Sequence, residues 1–127
     1  MTNQAVFDSA LHIIGETPGA DDLADYTARA PYLICAACRA LASVDRMYRL
    51  AHGLEESVLP AGSEYALDGI FPLDDALHPA AACHIASALL FDENPVLSDK
   101  CHARCTEQIE TILAALPAQV VPIEAKY

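Results

Sequence analysis

Tryptophan is absent, aromatic residues make up only 6% of the chain, and basic residues are scarce, 7 against 18 acidic ones. Few large rings beside 54% hydrophobic content, rich in Ala and Leu, favour helices packed closely through small side chains. The formal charge of −11 would be repelled by phosphate backbones and anionic membrane surfaces, so neither sequence-specific nucleic-acid binding nor a membrane partner is expected. No apolar run approaches the roughly 20 residues of a membrane span. The opening "MTNQAVFDSALHIIGE" lacks the basic start and small-residue cleavage site of a signal peptide, which points to the cytoplasm. Five cysteines, an odd number, without an export signal argue against a disulfide framework. Also missing are a Gly-rich phosphate loop, a nucleophile elbow and a paired-His helix motif.

What is present reads as one domain over 1–127, since 127 residues suffice for one modest core. Thr2 can cap a first helix with Phe7, Leu11 and Ile14 on one face, stopped by Gly15. After the turn-rich "ETPGADD", a second helix is expected from Thr27, with Pro31 in its first turn, where a missing N–H costs nothing. Leu33, Ala37, Leu41, Val44 and Tyr48 mark its buried side, flanked by Ile34, Cys38 and Met47, and Gly53 its end.

Residues 54–73, "LEESVLPAGSEYALDGIFPL", break the helical period. Val58-Leu59 and Tyr65-Ala66-Leu67 are short β-like pieces around "PAGSE", consistent with a long loop or a small β-hairpin. A connector of about 20 residues is long for a compact helical domain, and such loops commonly bind something. Asp74 or Asp75 opens a third helix with Pro79 near its start, apolar at almost every position from Ala80 to Phe91 and therefore central. Asn94 and Pro95 cap and start a fourth helix running to about Leu116, folded back as an antiparallel hairpin on the third. The closing "AQVVPIEAKY" is expected to be an extended tail. The fold class is thus all-α, a four-helix bundle-like domain with one long loop or small hairpin and a C-terminal extension.

The cysteines carry the one chemical ambiguity. In the fourth helix Leu97, Cys101, Cys105, Ile109, Ile112 and Leu116 are separated by four, four, four, three and four, so both cysteines fall on the core-facing stripe as small hydrophobes. A metal reading needs four converging ligands from among Cys101, His102, Cys105, Cys35, Cys38, Cys83 and His84. Cys35 and Cys38 have the gap of a zinc knuckle, but "LICAACRAL" is a helix interior without the Gly-rich turn of a knuckle. Core packing is the expectation, with no metal and no cofactor. Acids in "FPLDDALH" and "LLFDENP" suit helix caps and dipoles, and the basic "RMYRLAH", Arg46 to His52, suits a helix C-terminus.

The order of parts resembles the small helical head-to-tail adaptor, or head-completion, proteins of tailed bacteriophages and prophages. The stretches that carry it are "RAPYLICAACRALASVDRMYR", then "DGIFPLDDALHPAAACHIASALLFDENPVLSDKCHARCTEQIETI", then "VPIEAKY". The pattern is a Pro near the start of helix two, "FPL" before helix three, a "DENP" turn and a short tail. The resemblance implies a non-enzymatic subunit, made in the bacterial cytoplasm and placed at the virion neck. It would form a multi-copy ring with itself, between portal and tail-completion proteins. A ring needs a heterologous interface whose rotation closes. Val58, Leu59, Tyr65 and Leu67 are the candidate ring contacts, and Val120, Val121, Ile123 and Tyr127 the candidate docking tail, by strand addition to neighbours. Acids such as Asp22, Glu55 and Glu56 would line a channel through which DNA slides without sticking. Two alternatives are a small acidic helical regulator that binds a partner protein, and a thiol or metal protein using Cys35, Cys38, Cys101, His102 and Cys105.

Overall fold

The computed structural model describes residues 1–117. Four α-helices, α1 (Asn3–Ile13), α2 (Ala24–Ala51), α3 (His78–Leu90) and α4 (Pro95–Ala114), pack as an all-α bundle. Among the described residues there is no β-strand; of the two forms expected for 54–73, a long loop or a small β-hairpin, the segment takes the loop. Its one extended pairing is an isolated antiparallel bridge between Thr2 and Ile70.

The helix signals act largely as their chemistry dictates. Thr2 accepts the Ala5 N–H and so caps α1. Asp74 accepts from Ala76 and starts a short 3₁₀ turn, Asp75–Leu77, that leads into α3. Asn94 accepts from Leu97, and Pro95 follows it at the head of α4. The tight turn between α3 and α4 yields the antiparallel hairpin expected of it.

Helix two departs from expectation. It begins at Ala24, after a 3₁₀ turn over Asp21–Leu23, so Pro31 lies in the helix interior instead of the first turn. Leu23 is buried and anchors this earlier start, and Asp21, Asp22 and Asp25 suit the positive end of the helix dipole. Pro31 withholds a hydrogen bond from the carbonyl of Thr27, which is exposed and open to water. The carbonyl of Pro31 itself accepts the Tyr65 N–H at 3.0 Å. The buried stripe of α2 is Ala30, Ile34, Ala37, Leu41 and Val44, with Cys35, Cys38 and Asp45 beside it. Leu33 and Tyr48 are only half-buried, and Met47 is exposed, because the face that meets α3 is rotated toward Ile34 and Leu41.

Helix α3 is the central element, touching all three others, with Ala80, Ala81, Ala82, Cys83, Ile85, Ala86, Leu89 and Leu90 buried. Its small residues let α4 approach closely. At that contact Ser87 and Ser98 bond reciprocally: each hydroxyl donates to the other residue's carbonyl, at 3.0 and 2.7 Å. A partly buried pair satisfied this way sets the register between the two helices, because a slip of one position leaves both hydroxyls unpaired. Helix α1 is tied to the start of α3 by Ser9 Oγ and His78 Nε2, 2.8 Å apart.

Candidate functional site

The long loop is the longest irregular segment among the described residues, and polar bonds hold it at several points. The first N–H groups of a helix have no partner within the helix. Around α1 the loop supplies them: Asn3 N–H donates to Gly69 O at 2.9 Å and Gln4 N–H to Leu67 O at 2.8 Å, while Phe71 N–H donates back to Met1 O at 2.9 Å. The buried Asn3 side chain donates to Ala66 O at 2.9 Å. Gly69 suits this close approach, since a Cβ there would sit 3.1 Å from Ala66 O and press on that backbone.

Along α2 the anchors are Arg39, whose guanidinium donates to Gly62 O at 2.7 Å and to Cys35 Sγ at 3.4 Å, and Tyr65, whose N–H donates to Pro31 O at 3.0 Å while its hydroxyl closes the loop on itself at Pro60 O, 2.7 Å away. Gly62 adopts a φ of 104°, a conformation side chains rarely take, which turns its carbonyl toward Arg39. Near the entry to α3, Ser57 Oγ donates to Pro72 O. Asp45, buried, accepts the Asp74 N–H at 2.7 Å and Arg49 Nε at 3.0 Å, and Arg49 reaches on to Glu55 O. One carboxylate thus joins α2, the loop's first residues and the start of α3.

These anchors decide what the loop presents. Val58 is 88% exposed and Ile70 79% exposed. Leu59 and Leu67 are half-buried against the core. Tyr65 does not fit the expected role of surface contact: its ring is buried among core residues beneath the loop. Burial, first, and then the neighbouring Cys35 push the Tyr65 hydroxyl above its usual pKa. Ile70 is a presenting residue that sequence reasoning missed, although the alternation in "IFPL" signals it, with Phe71 and Leu73 turned inward and Ile70 outward. Val120, Val121, Ile123 and Tyr127 lie outside the described residues.

The cysteines lie where the helix spacing put them. All five are free and buried, Cys101 and Cys105 included. Burial pushes the Cys38 thiol up to about 12 and the Cys105 thiol up to about 11, and it raises those of Cys83 and Cys101. A buried thiol kept protonated is a poor nucleophile and a poor metal ligand. Among the described residues no cluster of three or more His, Cys, Asp or Glu is arranged to hold a metal ion. Cys35 and Cys38 are on α2, whereas Cys101, His102 and Cys105 are on α4, with His102 exposed. His84 and His102 line a shallow depression of about 340 Å³ together with Ser87, Ala88, Phe91 and Asp92. Burial, with a smaller contribution from His102, lowers the His84 pKa.

The acidic residues singled out for a channel do not share one patch. Asp22 lies at the N-terminal end of α2 and Glu55 and Glu56 follow its C-terminal end, about 40 Å away along a helix of 28 residues. Glu56 is paired with Arg46 at 3.2 Å. Asp22 instead joins Glu16, Asp25 and Glu93 around a small depression. There the Tyr26 hydroxyl donates to Glu93, and this bond, more than burial, raises the tyrosine to about 12.

No protein-family model, no curated protein and no solved structure matches the chain. Among the described residues no helix is long and apolar enough to cross a membrane. The fold and its surfaces are therefore what bear on function.

Proposed function

We propose that this chain is a non-enzymatic connector subunit, a ring-forming adaptor between the portal and the tail of a phage or prophage particle. The observation that carries the reading is the fixed presentation of Val58 and Ile70 on a loop pinned to α1, α2 and the start of α3. Apolar side chains on an immobilised irregular segment lose little entropy on association, which favours a repeated heterologous contact over a transient one. Leu59 and Leu67 pack half-buried against the core beneath the loop, and the buried Tyr65 is its internal prop. The resemblance noted above, in the order of helices, the "FPL" entry to α3 and the "DENP" turn, gives the reading its assembly context.

The test is assembly on portal rings. The chain mixed with the portal protein encoded beside it is expected to add as a stoichiometric ring visible by electron microscopy. Val58→Glu and Ile70→Glu together should abolish that ring while leaving the thermal midpoint within about 2 °C, as for surface substitutions away from structural features. Ring addition unaffected by the double variant would overturn the assigned contact face. A chain encoded away from portal, capsid and tail genes would overturn the reading itself.

A further inference from the structure

A ring closed by one repeated contact needs two different faces on every copy. The loop supplies the first. Ser57 Oγ donates to Pro72 O, so Val58, one residue from this bond, and Ile70, two residues from it, share an edge. Behind Val58 lies a hollow of about 290 Å³ that also includes Ala42, Arg46, Glu56 and Leu73. Leu54 borders it, in a smaller hollow that shares Arg46 and Glu56.

The turn between α3 and α4 exposes two more large apolar side chains, Phe91 at 71% and Val96 at 68%. This end of the domain is far from the loop edge. Glu93, in the turn, is bonded by Tyr26 near the start of α2, whereas Arg46 near the end of α2 pairs with Glu56. Tyr26 and Arg46 are about 30 Å apart along that helix, at roughly 1.5 Å of rise per residue. Two neighbours can therefore occupy the two faces at once.

Charge distinguishes the two ends. Among the described residues, the depressions around the turn collect the carboxylates of Glu16, Asp22, Asp25, Asp92 and Glu93 against one guanidinium, Arg29. At the loop end Arg46 and Arg49 are paired with Glu56 and Asp45. The Arg46–Glu56 pair is exposed on both sides, and such a pair is weak enough for Arg46 to turn to an incoming carboxylate. Two acidic ends repel one another, which opposes a symmetric contact through Phe91; an acidic end brought against the loop edge meets no such barrier.

We infer that the α3–α4 turn of one copy docks on the loop edge of the next, with Phe91 entering the hollow behind Val58 and Asp92 or Glu93 turning to Arg46. The inference rests on the ring-forming reading above and names the second face that its loop contact meets.

Cross-linking between copies tests this polarity. The five native thiols are buried, so Val96→Cys and Leu54→Cys, at exposed positions beside the two faces, each add the accessible thiol. A short bis-maleimide should join the two variants in a mixture at least about tenfold faster than it joins either variant to itself. Adding Phe91→Glu to the Val96→Cys chain should lower the heterodimer yield about tenfold or more, as for loss of a central anchor. The same change on the Leu54→Cys chain should leave the yield unchanged. Val58→Glu should show the reverse preference. Equal homodimer and heterodimer yields overturn the inference in favour of a symmetric contact. Absence of heterodimer overturns it outright, as does an equal effect of Phe91→Glu on either chain. Heterodimer without addition to portal rings keeps this contact and removes the ring reading, whereas portal rings without heterodimer keep the ring and remove this contact.

Discussion

The α3–α4 hairpin and the 54–73 loop reach order by opposite means. The hairpin is regular and mostly apolar, and alanines, cysteines and a reciprocal serine pair allow two helices to meet closely. Its stability is distributed over many small contacts, each cheap, none decisive. The loop has almost no repeating structure and is held by a few polar bonds, each made by one named donor to one named carbonyl or carboxylate. Removing one of those releases a specific stretch. A surface meant to meet a partner gains from the second arrangement, since point anchors leave the intervening side chains free to face outward.

Substitutions can break this contrast. Ile85→Ala, at the centre of α3, should cost about 3 kcal/mol by chemical denaturation, through lost burial and an unfilled cavity. It should leave hydrogen exchange in the loop unchanged relative to global unfolding. Asp45→Ala strands Arg49 and the Asp74 N–H, and about 2 kcal/mol is expected, below the roughly 3–5 kcal/mol for breaking a fully buried pair because Arg49 is partly exposed. Here the loop should lose exchange protection at Asp74 well before the helices do. Equal loosening in both variants would erase the distinction between distributed and point-anchored order.

Smaller effects sharpen the comparison further. Ser87→Ala and Ser98→Ala should each cost about 1 kcal/mol and add nearly independently in a double-mutant cycle, because each hydroxyl is accepted by a backbone carbonyl that the other substitution leaves in place. Acidification acts through His84. Its folded pKa is lowered, so the unfolded chain takes up the proton first as pH falls below about 6.5. Its contribution is therefore complete above that pH and is lost as pH falls through the folded value. His84→Gln should flatten the fall in denaturation midpoint between pH 7.5 and pH 5. At the alkaline end Tyr26 works oppositely. Its raised pKa supplies stability that is complete below about 10 and lost as pH rises through about 12, and Tyr26→Phe should remove that alkaline decline.

Much of the helical frame was legible in one dimension because its signals are local. Thr2, Asp74 and Asn94 each cap within three residues of themselves, and the four-and-three spacing of Cys101 and Cys105 placed them inside before any neighbour was known. Pro31 misled for the same reason: a local rule puts proline in a first turn, whereas Leu23, buried by distant residues, draws the helix start back to Ala24. Tyr65 misled too, because a β-like triplet in a loop says nothing about which side faces the core.

By itself the sequence determined an all-α domain, the caps of α1, of α4 and of the 3₁₀ turn leading into α3, and the burial of the cysteines, since these follow from interactions spanning only a few residues. Tertiary structure alone decided that Asp45 would join three segments, that Ser87 would meet Ser98, and that Val58 and Ile70 would be presented while Tyr65 was buried. Those outcomes depend on groups far apart in the chain, and no periodicity records a partner that only folding brings near.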